Sequence, residues 1–285
     1  MILITGAAGK TGRTIIRELV SRGHAVRALV HRPAQAVSVE ELEVQDIVVG
    51  DMRSPATMEQ AAKGARAVYH ICPNMSPDEV VIGEVAIAAA RAADVACFVY
   101  HSVLHPQIEA MPHHWLKLRV EEMLFESQLA FTILQPAAYM QNLLAHWDQI
   151  TEQGVYPVPY AIEARLSMVD LEDVAAAAVA VLTQSGHLCA TYELVGDAVL
   201  SQIDVAEVLS QQLGRPVSAQ AVLLADWERG ARAAGLGDYQ VETLLEMFRY
   251  YERYGFWGNS RVLEGLLDRR PATLADFVSR TVSSQ

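Results

Sequence analysis

The stretch Ile4-Thr5-Gly6-Ala7-Ala8-Gly9-Lys10-Thr11-Gly12 decides the fold of this chain. Its glycines fall at GxxGxxG spacing, directly after the apolar run Ile2-Leu3-Ile4 and at the mouth of a helical segment. That segment, Arg13 to Arg22, sets Ile15, Ile16, Leu19 and Val20 on one side and Arg13, Arg17, Glu18 and Arg22 on the other, and Gly23 closes it. Between a strand and a helix, the first glycine allows a tight turn. The second lets backbone amides approach a pyrophosphate, the third lets the helix pack close, and the helix N-terminus supplies positive potential. Thr5, Gly6, Ala8, Gly9, Lys10, Thr11 and Gly12 are therefore the candidate phosphate-binding residues.

Working outward, the runs Ala25 to Val30, Ile47 to Val49, Ala67 to Ile71, Cys97 to Tyr100 and Phe131 to Leu134 read as further strands separated by helical stretches. They are apolar almost throughout rather than alternating, as parallel strands covered on both faces must be. Repeated βαβ units with right-handed crossovers predict an α/β fold, a doubly wound parallel Rossmann-type sheet, with ligand beyond the carboxyl ends of the strands. Residues 1–150 are expected to form this dinucleotide-binding domain, with returns near 166–196 through Leu166 to Val169 and Tyr192 to Val195. Gly154, Pro157 and Pro159 then break the pattern, so 151–285 is expected to be a smaller, mostly helical substrate-binding region with an interleaved border. Asp170 with Asp173, Ser201 with Asp204, and Thr273 with Asp276 read as helix starts, and Gly214-Arg215-Pro216 as a stop.

Composition limits the partners. With 34 acidic residues against 22 Lys plus Arg, the formal charge of -12 opposes a nucleic-acid backbone or an anionic membrane. Cys72, Cys97 and Cys189 form no CxxC pair, and no carboxylate at ligand spacing accompanies the histidines, so neither a disulfide framework nor a metal site is expected. Met1 runs straight into a β pattern and the apolar run Val174 to Leu182 is far below the ~20 residues of a membrane span, so a cytoplasmic protein is expected. The partner is then a small molecule, and a homodimer is a permitted assembly.

Cofactor type is written at the end of the second strand, Leu29-Val30-His31-Arg32-Pro33. NAD sites place an acid there for the ribose hydroxyls, whereas here Arg32 can pair with a 2′-phosphate, which favours NADP, NADPH in the reduced form. His31 is a second contact of that kind, with Lys10 and Arg13 as further candidates; the alternative is that Arg32 solvates a loop. Gly50-Asp51-Met52 ends the third strand, where Asp51 either reaches the adenine or caps a turn. Strand order alone sets Ile71, Cys72 and Pro73, after the fourth strand, beside the cofactor riboses.

These residues, with Tyr100-His101-Ser102, Lys117 followed by Glu121-Glu122, and Thr132-Ile133-Leu134-Gln135-Pro136 running to Asn142, resemble the atypical short-chain dehydrogenase/reductase family, specifically its NmrA-like NAD(P)-binding group. The resemblance covers most of the chain and implies NADP(H) binding, in a group that holds both reductases and redox-sensing regulators. It also implies a catalytic Ser, Tyr and Lys. Ser102 and Lys117 stand at the serine and lysine places, but His113 stands where the tyrosine belongs, four residues before Lys117. His113 and Lys117 share a helix face, and an imidazole with a reference pKa of about 6.5 can donate a proton near neutrality. The alternative is an inert, solvated first turn, Pro112-His113-His114-Trp115. Lys117 is also expected to hold the nicotinamide ribose, Pro136 and Tyr139 to approach the carboxamide, and Tyr139 and Asn142 to face substrate.

The sequence thus points to an NAD(P)H-dependent reductase passing hydride to a small planar acceptor such as a quinone, enone or imine, since direct hydride transfer needs mainly proximity and orientation. The alternative is a non-catalytic NADP(H)-binding redox sensor. Epimerase or dehydratase chemistry is disfavoured, because oxidising a sugar hydroxyl requires the missing tyrosine. The late aromatics Phe248, Tyr250, Tyr251, Tyr254, Phe256 and Trp257 read either as a pocket lining or as core.

Overall fold

The computed structural model describes residues 1–283. From the N-terminus, β1 (Ile2–Ile4), α1 (Lys10–Ser21), β2 (Val26–Val30), α2 (Pro33–Glu40), β3 (Asp46–Val49) and α3 (Pro55–Ala62) are followed by β4 (Ala67–His70), α4 (Glu79–Ala92), β5 (Cys97–His101), α5 (Pro112–Glu126) and β6 (Phe131–Pro136). Next come β7 (Ala138–Tyr139), two irregular helical turns at Met140–His146 and Gln149–Gln153, β8 (Val155–Val158), β9 (Leu166–Val169), α6 (Leu171–Thr183) and β10 (Ala190–Leu194). The chain continues through β11 (Val199–Leu200), α7 (Gln202–Leu213), β12 (Ser218–Ala221), α8 (Leu224–Ala233), α9 (Asp238–Tyr254), α10 (Arg261–Leu267) and α11 (Leu274–Ser283).

It divides into two compact units: Met1–Ile108 with His113–Pro136 and Val174–Tyr192, and Glu109–Pro112 with Ala137–Asp173 and Glu193 onward. In the first, the seven-stranded sheet runs β10-β6-β5-β4-β1-β2-β3, and the pairings from β6 across to β3 are parallel. β1, β4, β5 and β6 are buried at every residue, whereas the edge strand β3 leaves Val49 43% exposed, because only one side of it meets a neighbour. Leu3, Leu29, Val68, Phe98, Tyr100 and Ile133 of the strands pack against Met58 and Ala61 of α3, Ala86 and Ala90 of α4, and Val120 and Leu124 of α5. The strand order reverses between β1 and β4. The loops after those two strands, the glycine turn and Ile71 to Pro73, therefore flank the crevice where such sheets bind ligands.

The second unit is mostly helical from α7 onward and also holds two small sheets, β11-β9-β7 and β12-β8. Its core gathers Leu143, Trp147, Ile150, Val205, Leu209, Phe277 and Val278. Three details differ from the sequence reading. The supposed break at Pro157 lies inside β8, tolerated because every strand of a two-stranded sheet has a free edge that needs no N–H from proline. Leu166 to Val169 pairs with β11 and β7 and not with the main sheet, which β10 alone rejoins. Asp170 does start a helix, accepting the Glu172 N–H (3.0 Å) at the head of α6, but Asp173 closes no capping box, since it turns to the guanidinium of Arg269 (2.5 Å) and the N–H of Ala272 (2.6 Å). The other two boxes form: Ser201 and Asp204 exchange bonds, as do Thr273 and Asp276.

Asp170, fully buried, accepts from Gln141 Nε2 (2.7 Å), from the N–H of Glu172 (3.0 Å) and from Arg280, so one carboxylate joins β9, α6 and α11. Removing it takes the acceptor from three donors, leaving Arg280 only its weaker contact with Glu172. Asp170→Ala is expected to lower unfolding free energy by roughly 2–4 kcal/mol, read from urea titrations.

Candidate functional site

The glycine turn is built as the motif requires. Gly6 has φ +59°, in the left-handed region, and a Cβ there would lie 2.9 Å from the Ile71 carbonyl oxygen. A Cβ on Gly12 would sit 2.5 Å from the Gly6 carbonyl oxygen and 2.8 Å from Ala7 Cα, so only glycine lets α1 start this close to the turn. A Cβ on Gly9 would meet only the Gly6 oxygen, at 3.3 Å, and open space beyond it. Gly9 caps α1 without a side-chain hydrogen bond, and no acid stands in the first turn. With no side-chain cap and no acid in its first turn, the positive end of the helix dipole suits an anionic phosphate pair. Thr5, fully buried, fastens the turn to β4: its Oγ1 accepts the Ile71 N–H (2.8 Å) and lies 3.0 Å from His70 Nδ1. Ala8 is half-buried beside it and Thr11 is buried in α1, while Lys10 is exposed at the first position of that helix.

At the ends of β2 and β3 stand His31, Arg32, Asp51 and Met52. Arg32 is exposed and caps α2, its N–H bonded to Gln35 Oε1 (2.9 Å), which fixes its backbone at the sheet edge. Asp51 accepts from Arg53 through its side chain (2.7 Å) and its N–H (2.8 Å), and these bonds, with a weaker contribution from His31, hold the carboxyl at a pKa of about 2. Arg53 also reaches Asp78 at 3.2 Å. Met52 packs its side chain against the core beneath. Arg13 does not turn to this edge; its guanidinium donates to the Ser38 carbonyl and ties α1 to α2. Arg53, which the sequence reading passed over, thus binds the Asp51 carboxylate at the end of β3, and its only signal was its position in the loop after the third strand.

The ends of β4, β5 and β6 carry the remaining candidates of the first unit. Ile71 is half-buried, Cys72 buried and Pro73 exposed. Burial pushes the Cys72 thiol pKa upward, so it is no thiolate nucleophile. Lys117 Nζ donates to Glu79 Oε1 (3.0 Å) and to the His101 carbonyl (3.2 Å), and lies 5.3 Å from the centre of the Tyr100 ring. The Tyr100 hydroxyl donates to the same Glu79 oxygen at 2.8 Å. Ser102, 2% exposed, donates to Glu121, which also accepts from Gln135 Nε2 at 2.9 and 3.0 Å. Burial raises the Glu121 pKa against those donors. Pro136 is buried at the end of β6. Tyr139 and Asn142 belong to the second unit, in β7 and the turn after it.

His113 and His114 do not form a solvated turn. They are 9% and 1% exposed, their rings meet edge-on at 4.4 Å, and His114 Nδ1 lies 3.2 Å from the His105 carbonyl. His113 Nδ1 is buried without a protein partner. Burial, aided by His114 and Lys117, depresses the His113 pKa to about 2, so the ring is neutral at pH 7 and offers a hydrogen bond rather than a dissociable proton. The late aromatics divide: Phe248, Tyr251 and Phe256 are core, whereas Tyr254 and Trp257 are about half exposed. Among the described residues no His, Cys, Asp and Glu cluster suits a metal, and no helix is long and apolar enough to cross a membrane.

Residues 1–278 match the NmrA-like family. The chain belongs to that family. This NmrA-like protein is 32% identical to the NAD(P)H azoreductase of Xenophilus azovorans over 250 residues, 87% of this chain and 86% of that one. It is 29% identical to quinone oxidoreductase 2 of Escherichia coli strain K12 over 283 residues, 98% of each. Its fold matches the crystal structure of the NADPH-dependent quinone oxidoreductase of E. coli complexed with NADPH with a TM-score of 0.85 at 28% identity, over 99% of this chain and 100% of that one. The partners that organise the NmrA-like site here, Glu79 and Tyr100 around Lys117 and Gln135 beside Glu121, lie 14 to 38 residues from the groups they bind. No local spacing announces them.

The buried histidines make stability depend on pH. Desolvation lowers His70 and His114 from 6.5 to about 4 and His101 to about 3. As pH falls below 6.5 the unfolded chain takes up protons that the folded chain refuses, so stability declines down to those folded values and is unaffected by these groups above 6.5. Thermal melts are expected to show a falling Tm across this acid window, and His70→Asn is expected to flatten the slope.

Proposed function

We propose that this NmrA-like protein is an NADPH-dependent reductase of small planar acceptors: quinones, enones, imines and azo compounds. The observation that carries the reading is the uncapped N-terminus of α1 behind Gly6, Gly9 and Gly12, at the point where the strand order reverses. The likeness to an azoreductase and a quinone oxidoreductase over most of each chain supports the reaction class. The first turn of α1 holds the pyrophosphate; Arg32, with His31, meets the 2′-phosphate; Asp51 and Met52 border the adenine; Ile71 to Pro73 run beside the riboses; and Lys117 grips the ribose of the nicotinamide half. Pro136, at the end of β6, approaches the carboxamide.

When bound, the cofactor supplies a hydride. The chain's own task is then orientation and exclusion of water, consistent with a site that has no tyrosine at the family position. Ser102 is turned to Glu121, and His113 is held neutral. Neither is set up as a strong acid, so the proton that completes reduction of a quinone comes from water. This suits acceptors whose reduced oxygen is a stable anion and disfavours simple ketones, whose alkoxide needs an acid at once.

Purified protein is expected to oxidise NADPH with quinones and azo dyes and to leave simple ketones unreduced; NADPH binding without turnover across such a panel overturns the reductase reading in favour of the redox sensor. His113→Gln is expected to change kcat/KM less than about threefold, because no proton leaves the ring. Arg32→Ala is expected to weaken NADPH by about 30-fold or more, a loss on the order of 2 kcal/mol, and NADH hardly at all, by calorimetry. Equal weakening of the two nucleotides places Arg32 outside the 2′-phosphate site.

A further inference from the structure

Glu79 is almost fully buried, at 3% exposure, in the first turn of α4, and it shares one oxygen, Oε1, between the Lys117 ammonium and the Tyr100 hydroxyl. A buried ion pair is a costly way to hold two helices together, since desolvating both charges offsets much of their attraction and apolar side chains do the same work without that cost. What the pair supplies is a location. An ammonium has three donors. Glu79 takes one and the His101 carbonyl another, while the Tyr100 ring lies beside the charge. His101 is the last residue of β5, next to β4 in the sheet, so these contacts fix the Lys117 ammonium at the carboxyl edge beside the strand-order reversal, with its third donor uncommitted to either oxygen.

We propose that Glu79 is the positioning residue for Lys117. A lysine side chain loses rotamer freedom when fixed, and Glu79 imposes that loss during folding, before the nucleotide arrives. The inference rests on the reading of Lys117 as the ligand of the nicotinamide-side ribose and gives that ligand its anchor. Glu79 touches neither cofactor nor acceptor; it acts through the lysine. Tyr100, by occupying the same oxygen, keeps the carboxylate turned toward β5.

The test is binding calorimetry with two probes, NADPH and adenosine 2′,5′-bisphosphate, which has the adenosine half but no nicotinamide ribose. Glu79→Gln is expected to weaken NADPH by about tenfold or more and to leave the bisphosphate within about twofold, a split that a general structural defect does not produce. Lys117→Met is expected to show the same split, and adding Glu79→Gln to it is expected to cost no more than about a further twofold. Glu79→Asp keeps the charge but withdraws it by one methylene, and its NADPH affinity is expected to fall between the parent and Glu79→Gln; it serves as the second variant if Glu79→Gln does not fold. Unchanged NADPH affinity in Glu79→Gln, parent-like affinity in Glu79→Asp, equal weakening of the two probes, or full additivity with Lys117→Met each overturns the positioning role. If Lys117→Met alone leaves NADPH untouched, the ribose-ligand reading of Lys117 is what fails, and the role of Glu79 with it.

Discussion

The start of α1 against the end of β1 is the constraint on which the rest of the first unit depends. The absent Cβ of Gly12 brings the helix within van der Waals reach of the Gly6 carbonyl, and Gly6 in turn needs its left-handed backbone to pass under Ile71. A side chain at either place moves the helix away from the sheet. With both glycines in place, α1 points its N-terminus, which carries no side-chain cap, at the crevice, and Thr5 ties the same turn to β4 through His70 and Ile71. The loops after β1 and β4 are thereby held at a fixed separation, which is what a ligand spanning two neighbouring strands requires.

Around this frame the unit keeps its interior nearly free of net charge. Burial neutralises His70, His101, His113 and His114, and the Cys72 thiol stays protonated. The buried acids each have assigned donors: Lys117 and Tyr100 at Glu79, Ser102 and Gln135 at Glu121. A nucleotide carrying several negative charges would meet, at this edge, the positive end of α1 and the side chains of Arg32 and Lys117, against an acidic chain as a whole. Selectivity then comes from position rather than from the bulk field.

Replacement of the family's tyrosine by His113 takes its meaning from burial. An exposed imidazole titrates near neutrality; this one, packed against His114 with an unpartnered ring nitrogen, does not. The site therefore favours reactions in which the acceptor stabilises its own negative charge. Quinones have that property, and a relative over nearly the full chain is named a quinone oxidoreductase.

Amino-acid order by itself determined the central strands, the glycine turn and the edge of the sheet where a nucleotide is expected, because these rest on short-range patterns: apolar runs of strand length, a glycine spacing and an amphipathic helix directly after it. It also marked Ser201 and Thr273 as helix caps, where both partners lie within one turn. Only the tertiary structure decided that Asp173 serves Arg269 instead of its own helix, that Pro157 lies in a strand, that Arg53 claims Asp51, and that Glu79 pairs with Lys117. Those choices depend on which groups packing brings together from distant segments and on how much water it removes from them, and neither distance in space nor desolvation has a local signature in the order of residues.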